Sequence, residues 1–477
     1  MDESGRLADP AKPGPPYEHS PAAQERAQTR YLFERYRDLL ARVGSSLRDI
    51  AALEHYLKLK AHADGYFKMV LGTGFLEKDR PIGTTAEVGG YFPEEAVISV
   101  TGVAIVPDET TGLVKSYPEE VTKNPLRLYP EMVAAGPYVF TTFLASDPKA
   151  GIDPAVRTED WNWRGSEIRS EAEYGIEVMK TRLATVGAFL TDIVDYTLFL
   201  TDPGDLYEFD LVFGHALGEH APTRTVIPAR GFQVPRREVP SATNRVPFAW
   251  RRNSDGLRPG HGFEKVVVLG PGAGFGYQSA GMRVGPLLWM SSQLADKEWQ
   301  GAGVAREIDN ILEKIEVICR NGGTTLANLL RVRALVTRPT DALAVYAALR
   351  KAIPSAPPAV CIIVLPSPLH VSGCSVALDA VAYVEDSRFC IQATEQLQAR
   401  IAPQDEVQNV ASYHPLPRVY LRMLVPGVIV ISIRAATTKY GMIYPLRERQ
   451  ELGVAMTGWK RPITVPFSTL TLVESVW

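Results

Sequence analysis

Cysteines, histidines and glycine-rich turns are the residues of this chain that could do chemistry by type, and their spacing decides against most of it. A structural zinc site needs ligand pairs at close spacing, yet Cys319, Cys361, Cys374 and Cys390 form no Cys-x-x-Cys pair and have no histidine at ligand distance. Small buried thiols in a reducing compartment are expected instead. His215 and His220 stand five apart in FGHALGEH, a poor spacing for one helical face, and no third ligand accompanies them. In VVVLGPGAGFG, from Val266, glycines alternate at 270, 272, 274 and 276 where a dinucleotide loop requires Gly-x-Gly-x-x-Gly, and a strand pattern follows where a helix should. DETTGLVKS from Asp108 lacks the first glycine and the Gly-Lys of a phosphate loop. No Ser, His and Asp set is marked out by spacing. What remains is the chemistry of single arginines, carboxylates and tyrosines carried on strands.

The elements that would position such residues recur. Three segments share a helix, a glycine, small residues, Leu, Asp or Asn, and a strand: LLARVGSSLRDIAALEHYLKL from Leu39, LATVGAFLTDIVDYTLFL from Leu183 and ICRNGGTTLANLLRVRALV from Ile318. Gly44, Gly187 and Gly323 stand 143 and 136 residues apart, and Asp49, Asp192 and Asn328 keep the same two separations. The helix of the third copy is amphipathic, with Ile308, Ile311, Leu312, Ile315 and Ile318 on one stripe. The following glycine suits a left-handed C-cap, and a second helix opens near Asp64, Asp205 and Asp341. Two more strands close each copy: IGTTAEV and AVISVTGVAIV, then TRTVIPA and a Pro-broken stretch, then PAVCIIVL and SVALDAVAYV. Hairpins from Glu131 and Gly281 precede the second and third copies. The first has none, and YLRMLVPGVIVISI from Tyr420 repeats that hairpin's spacing in the tail.

The series of hairpin, helix, Gly-small-small-Leu-x-Asp, strand, helix and a strand pair opened by Arg-Thr resembles the Rid (YjgF-type) imine and enamine deaminase family. The residues that carry it are GYQSAGMRVGPLLWMSSQLAD with Gly322-Gly323, and ATVGAFLTDIVDYTLFLTD with APTRTVIPA. The resemblance implies an α+β fold of tandem Rid-like, chorismate-mutase-like modules. Each would be a mixed sheet with two helices on one face, and the three would form a trimer-like arrangement within one chain. The expected divisions are a disordered leader over 1–16, copies over 17–108, 120–255 and 262–386, and a segment over 412–477 that supplies the missing hairpin, with linkers near 108–128, 150–166, 250–262 and 386–412.

Family members hold a substrate carboxylate with an arginine, which matches Arg224 here and is replaced by Gly83 in copy one and Pro357 in copy three. A guanidinium clamps a carboxylate with two parallel hydrogen bonds, and water then attacks the imine carbon with help from a nearby acid. The family's acidic residue matches Asp379, with Thr101 in copy one and a place near Ala242 in copy two. The pocket tyrosine matches Tyr129, Tyr277 and Tyr420. Without the resemblance, Arg224 reads as a strand-edge arginine paired with a carboxylate, Asp379 as a solvent-facing carboxylate, and the tyrosines as packing residues. The expected function is thus a hydrolase of small 2-imino or 2-enamino acids using one surviving pocket, with no cofactor or metal. The rivals are a non-catalytic metabolite-binding or assembly protein and a chorismatase-like enzyme.

Composition agrees with a set of globular modules. The 477 residues suggest about three domains, and 45% hydrophobic with 22% charged residues is ordinary for packed cores. With 51 basic against 54 acidic residues the net charge is −3, so no basic field attracts nucleic acid. The apolar run Met423–Ile433 contains Pro426 and is too short for a bilayer. A cytoplasmic monomer or dimer binding a carboxylate-bearing metabolite is expected, with no nucleic-acid or membrane partner.

Overall fold

The computed structural model describes residues 21–72, 75–76, 80–91, 96–107, 112–116, 129–144, 146–147, 151–152, 167–219, 221–232, 250–257, 263–271, 277–354, 358–385, 421–424 and 428–434. The chain begins with α1 (Pro21–Arg42), β1 (Ile50–Leu57), α2 (His62–Gly72), β2 (Ile82–Glu87) and β3 (Ile98–Ile105). Next come β4 (Leu113–Ser116), β5 (Met132–Ala135), β6 (Tyr138–Leu144), the short pair β7 (Ser146–Asp147) and β8 (Gly151–Ile152), and α3 (Glu167–Ala184). They are followed by β9 (Ile193–Leu200), α4 (Leu206–Leu217), β10 (Thr223–Pro228), β11 (Gly231–Phe232) and β12 (Trp250–Leu257). The third stretch holds β13 (Lys265–Val268), β14 (Gly281–Val284), β15 (Leu287–Leu294), α5 (Val304–Asn321), β16 (Leu329–Val336), α6 (Asp341–Ala352), β17 (Ala359–Val364) and β18 (Val376–Tyr383). The tail contributes β19 (Leu421–Leu424) and β20 (Val428–Arg434).

Among the described residues the strands form three six-stranded sheets and one two-stranded ribbon. The sheets run β11-β2-β1-β3-β20-β19, then β10-β9-β12-β6-β5-β4, then β17-β16-β18-β15-β14-β13. In each, one parallel pair (β1 with β2, β9 with β10, β16 with β17) is followed by antiparallel pairing through the rest. The register slips at the same place in all three, around Ile50/Ala52, Ile193 and Leu329/Arg331, where a bulge re-aims the strand entrance. Ile50, Ile193 and Leu329, the first residues of β1, β9 and β16, keep the 143- and 136-residue separations of the glycine anchors. The hairpin beside β3 comes from the tail, β20 pairing with Ser99–Ile105 along its full length.

The element between 250 and 257 is a strand and not a linker, and it holds the central place in the second sheet between β9 and β6. Its sequence, WRRNSDGL, carries no strand pattern of its own. Two flanking ladders impose the conformation, a tertiary override of weak local preference.

Strands buried along their whole length, such as β9, β10, β15 and β17, require cover on both faces. Helices supply the outer cover. The stripe Ile308, Ile311, Ile315 and Ile318 of α5 packs on Leu288, Val332 and Leu378, and α1 and α2 on the first sheet and α3 and α4 on the second do the same. The inner faces meet one another. Tyr56, Phe199, Leu335 and Ile363, drawn from all three sheets, form one shared cluster, and Ala51, Val194, Leu330, Phe140 and Trp289 form a second. The second strand of each parallel pair lies against a hairpin strand of the next sheet, β2 against β6, β10 against β15 and β17 against β20. Hydrogen bonds fasten two of these seams, between the Thr84 and Thr142 hydroxyls at 3.2 Å and from the Arg224 N–H to Ser291 Oγ at 2.9 Å.

Cys319, Cys361 and Cys374 are buried and unbridged, and Cys390 and His220 lie outside the described residues. Among the described residues no helix is long and apolar enough to cross a membrane.

Gly44, Gly187 and Gly323 end their helices at φ of +77°, +73° and +83°, the left-handed region that a Cβ disfavours. No atom lies within 4 Å of a Cβ placed at Gly187, so Gly187→Ala isolates the backbone term. It should lower stability by about 1 kcal/mol in urea denaturation, whereas Gly112→Ala, equally open but without the positive φ, should leave it unchanged.

Candidate functional site

Arg224 is the second residue of β10, and strand alternation decides where it points. Thr225 and Ile227 face the other sheets, whereas Val226 packs in the helix-side core and Arg224 shares its face. The guanidinium, fully buried, forms an ion pair with Asp210 of α4. Its Nε donates to Gln278 Oε1 at 3.0 Å and its Nη1 to the Tyr196 hydroxyl at 3.5 Å. Gln278 belongs to the strand entrance of the third sheet, so the arginine bridges two sheets. The seam continues around it: Tyr277 N–H donates to Asp210 Oδ2 at 3.3 Å, Ser279 Oγ donates to the Ala221 carbonyl at 2.5 Å, and Ser291 Oγ donates to the Ser279 carbonyl at 2.5 Å. Burial raises the Asp210 pKa, and the neighbouring Arg224 works against that rise. His370 is pushed down to about 4, chiefly by burial and further by the Arg224 charge, and its buried Nδ1 has no hydrogen-bond partner.

The corresponding seam of the first and second sheets has no arginine in register. Asp195 pairs with Thr223 and Ala52 with Ile82, which sets Gly83 at the Arg224 position, and a Cβ there would meet the His55 ring at 3.2 Å and the Tyr129 ring at 3.4 Å. Tyr129 stacks edge-on against Phe67 and carries Arg80 over its face at 5.0 Å. Tyr129 and Tyr277 thus occupy matching seams, each against the second helix of the preceding sheet: the Tyr277 ring lies 3.3 Å from a Cβ placed at Gly214 of α4. In the third sheet Arg331 pairs with Ala359, so the residue in register with Arg224 is Val360 and not Pro357, where sequence spacing alone sets it. Pro357 and Tyr420 lie outside the described residues.

Asp379 faces inward and is buried, not exposed to solvent. Its Oδ2 accepts from Arg333 Nε at 2.6 Å and from Thr225 Oγ1 at 2.9 Å, and Arg331 Nη2 lies 3.5 Å from its Oδ1. The residues paired like Asp379 in the other sheets are Thr101, opposite Glu54, and Asn253, opposite Thr197. Asn253 therefore takes the place that sequence spacing sets near Ala242. Arg224 and Asp379 are brought close, through Thr225, but onto opposite faces of β10.

The inner face carries a charge network that no motif announces. Arg333 Nη1 donates to Glu54 Oε2 at 3.0 Å and to the Tyr56 hydroxyl at 3.2 Å, and Nη2 donates to Thr197 Oγ1 at 2.9 Å. Burial works to lower the Arg333 pKa, but Asp379 and Glu54 overcome it and raise the value well above the ordinary one. Next to this network, Ala52, Glu54, Thr101, Thr141, Asp195 and Arg331 help to line a cavity of about 30 Å³, room for roughly one water. The sequence signal was available: Glu54, Asp195, Arg331 and Arg333 are charges in the middle of otherwise apolar strands. Among the described residues no group of three or more His, Cys, Asp or Glu is placed to hold a metal.

No family model and no curated protein matches this chain. Among solved structures it is similar to a chorismatase, at 10% identity over 70% of this chain and 93% of that one, with a TM-score of 0.43. A YjgF-family member from Mycobacterium tuberculosis is 22% identical over 25% of this chain and all (100%) of its own, with a TM-score of 0.22. RidA from an Antarctic Psychrobacter is 19% identical over 25% of this chain and 96% of its own, again at 0.22. At these values no residue role passes from them to this chain. What stands is a mixed α+β protein of open sheets whose inner faces share a buried ionic network.

Asp195 lies at the edge of that network and accepts from Thr223 Oγ1 at 2.6 Å. Its pKa rises from 3.8 to about 6, mainly by burial, with Asp379 adding to the rise and Thr223, Arg331 and Arg333 opposing it. Between about pH 4 and 6 the folded protein therefore holds a proton that the unfolded chain has released, and the unfavourable ionisation is complete only above pH 6. Asp195→Asn should gain stability over the wild type as pH rises from 4 to 6, reaching up to about 3 kcal/mol at pH 7.5. Denaturant midpoints of the two proteins across that range check it, and a constant difference would contradict it.

Proposed function

We propose that the chain is a Rid-like ring of three units that binds a small carboxylate at the seam of the second and third, and that it does not act there as an imine deaminase. One observation carries this reading: Arg224 and Asp379 point to opposite faces of β10, so the clamp and the acid cannot address one ligand. The acid is also committed elsewhere, to Arg333. The clamp is occupied by Asp210, a carboxylate of the chain's own, which a ligand carboxylate has to displace. Arg224 suits that exchange because its charge persists and its planar fork accepts either carboxylate. Gly83 and Val360 leave the other two seams without an equivalent.

A deaminase reading keeps one specific support. His370 feels the Arg224 charge and has a buried, unpartnered Nδ1 that could accept a proton from an attacking water, though a pKa of about 4 makes it a weak base.

Calorimetry with pyruvate and 2-oxobutanoate, stable isosteres of 2-imino acids, separates these readings. The wild type should bind weakly because the internal carboxylate competes. Asp210→Asn should bind at least about tenfold more tightly, equivalent to about 1.4 kcal/mol, and Arg224→Lys should lose binding. Asp210→Asn alone leaves a buried guanidinium without its counter-charge, so its melting temperature should fall and then recover with added 2-oxo acid. Arg224-dependent acceleration of 2-iminopropanoate hydrolysis by the wild type would replace this reading with the deaminase one.

A further inference from the structure

The matched strands β1, β9 and β16 place three residues at each level of the shared interior, one from each sheet. Register sets Ala52, Asp195 and Arg331 at one level, Glu54, Thr197 and Arg333 at the next, and Tyr56, Phe199 and Leu335 at a third. No level repeats a residue type. Asp195 and Arg331 keep partners within their own sheets, Thr223 and Asp379, whereas Arg333 also reaches partners that only the other two sheets supply. Arg333 takes Glu54 from the first sheet and Thr197 from the second, besides Asp379 of its own. Tyr56 donates to Glu54 at 2.7 Å, so the ring hydroxyl of one level is satisfied by the carboxylate of another.

The charges differ by unit. The first brings Glu54, the second Asp195, and the third Arg331, Arg333 and Asp379, so the three carry one negative, one negative and one net positive charge inward. One of each sums to a single negative charge, which the Asp195 proton can cancel. Three first units, or three second units, would bury three carboxylates around one line, and three third units a threefold positive excess. Like charges in a low-dielectric interior repel strongly, and a buried charge without its partner is costly.

We propose that this assortment is an assembly code. The inner face of each unit fits only the other two kinds, in a ratio of one to one to one, and rejects a second copy of itself, so chains do not associate through their inner faces. The inference rests on the three-unit ring of the proposed function and adds to it the basis on which each inner face selects its partners. The device resembles a polar residue in a coiled-coil seam, which fixes partner choice at the expense of stability.

Three measurements on the full chain test it. An apolar variant, with Glu54, Asp195, Arg331, Arg333 and Asp379 each changed to Leu, should stay folded yet form dimers and larger species in size-exclusion light scattering, and two differently tagged copies should co-purify on co-expression. The wild type should remain monomeric and should not co-purify. An apolar variant that is monomeric with one sharp unfolding transition overturns the code. If that variant does not fold, transplantation decides: Ala52→Asp should destabilise the protein, and adding Asp195→Ala should restore more stability than Asp195→Ala adds to the wild type, because the level then holds its original charge. A merely additive gain from the second change overturns the code as well. A double-mutant cycle of Glu54→Gln and Arg333→Met tests the ring itself. Absence of coupling there would remove the ring reading, whereas clear coupling beside a monodisperse apolar variant would remove only the code.

Discussion

A guanidinium cannot be buried without its counter-charges, and Arg333 takes them from places far apart in sequence. Asp379 comes from the neighbouring strand, Glu54 from 279 positions upstream and the Thr197 hydroxyl from 136 upstream. This requirement brings the three sheets face to face and sets how near they stand. Apolar clusters flank the network, with Tyr56, Phe199 and Leu335 in one and Ala51, Val194 and Leu330 in the other, and they exclude the water that would otherwise weaken each ion pair. Breaking one partnership would leave charge stranded in the interior. Such a network says little about how stable the protein is, and much about which arrangement it adopts.

The outer chemistry depends on the inner. Because Thr225 must turn inward to serve Asp379, Arg224 must turn outward, toward α4 and Asp210. One strand thereby carries two unrelated tasks on its two faces, separated by the thickness of a backbone. The seam residues Gln278, Ser279 and Ser291 then fix the distance between the second and third sheets and, with it, the setting of the guanidinium.

Much of this fold was legible because backbone requirements leave marks. A left-handed glycine after each first helix, an Asp or Asn before each central strand and an apolar stripe on each helix keep their spacing, so the repeat and its helix-to-strand order could be read directly. The register of the later strands could not. The segment 233–249 separates β12 from the strand before it, and WRRNSDGL has the composition of a loop. Before β17 the apparent match likewise falls at Pro357 where the register sets Val360. Asp379 was legible as a residue but not as a buried one, since a carboxylate in an alternating strand looks solvent-facing until a second sheet is placed over it. Arg333 and Glu54 stand out in the sequence only as charges within apolar strands, because their partners are defined by how whole sheets meet.

The pairing of β3 with β20 joins Ile105 to Val428, so the first sheet waits for almost the entire chain. At roughly 5–20 residues per second a ribosome needs on the order of tens of seconds to travel from one strand to the other. During that interval β3 has its ladder to β1 but an open edge on its other side, a row of unpaired N–H and C=O groups that invites foreign strands. The entropy of closing so long a loop grows only with the logarithm of its length, so the delay weighs on kinetics far more than on final stability. A nascent chain of this kind has most reason to need a chaperone while its β3 edge is exposed, and a truncation before residue 421 would leave that condition permanent.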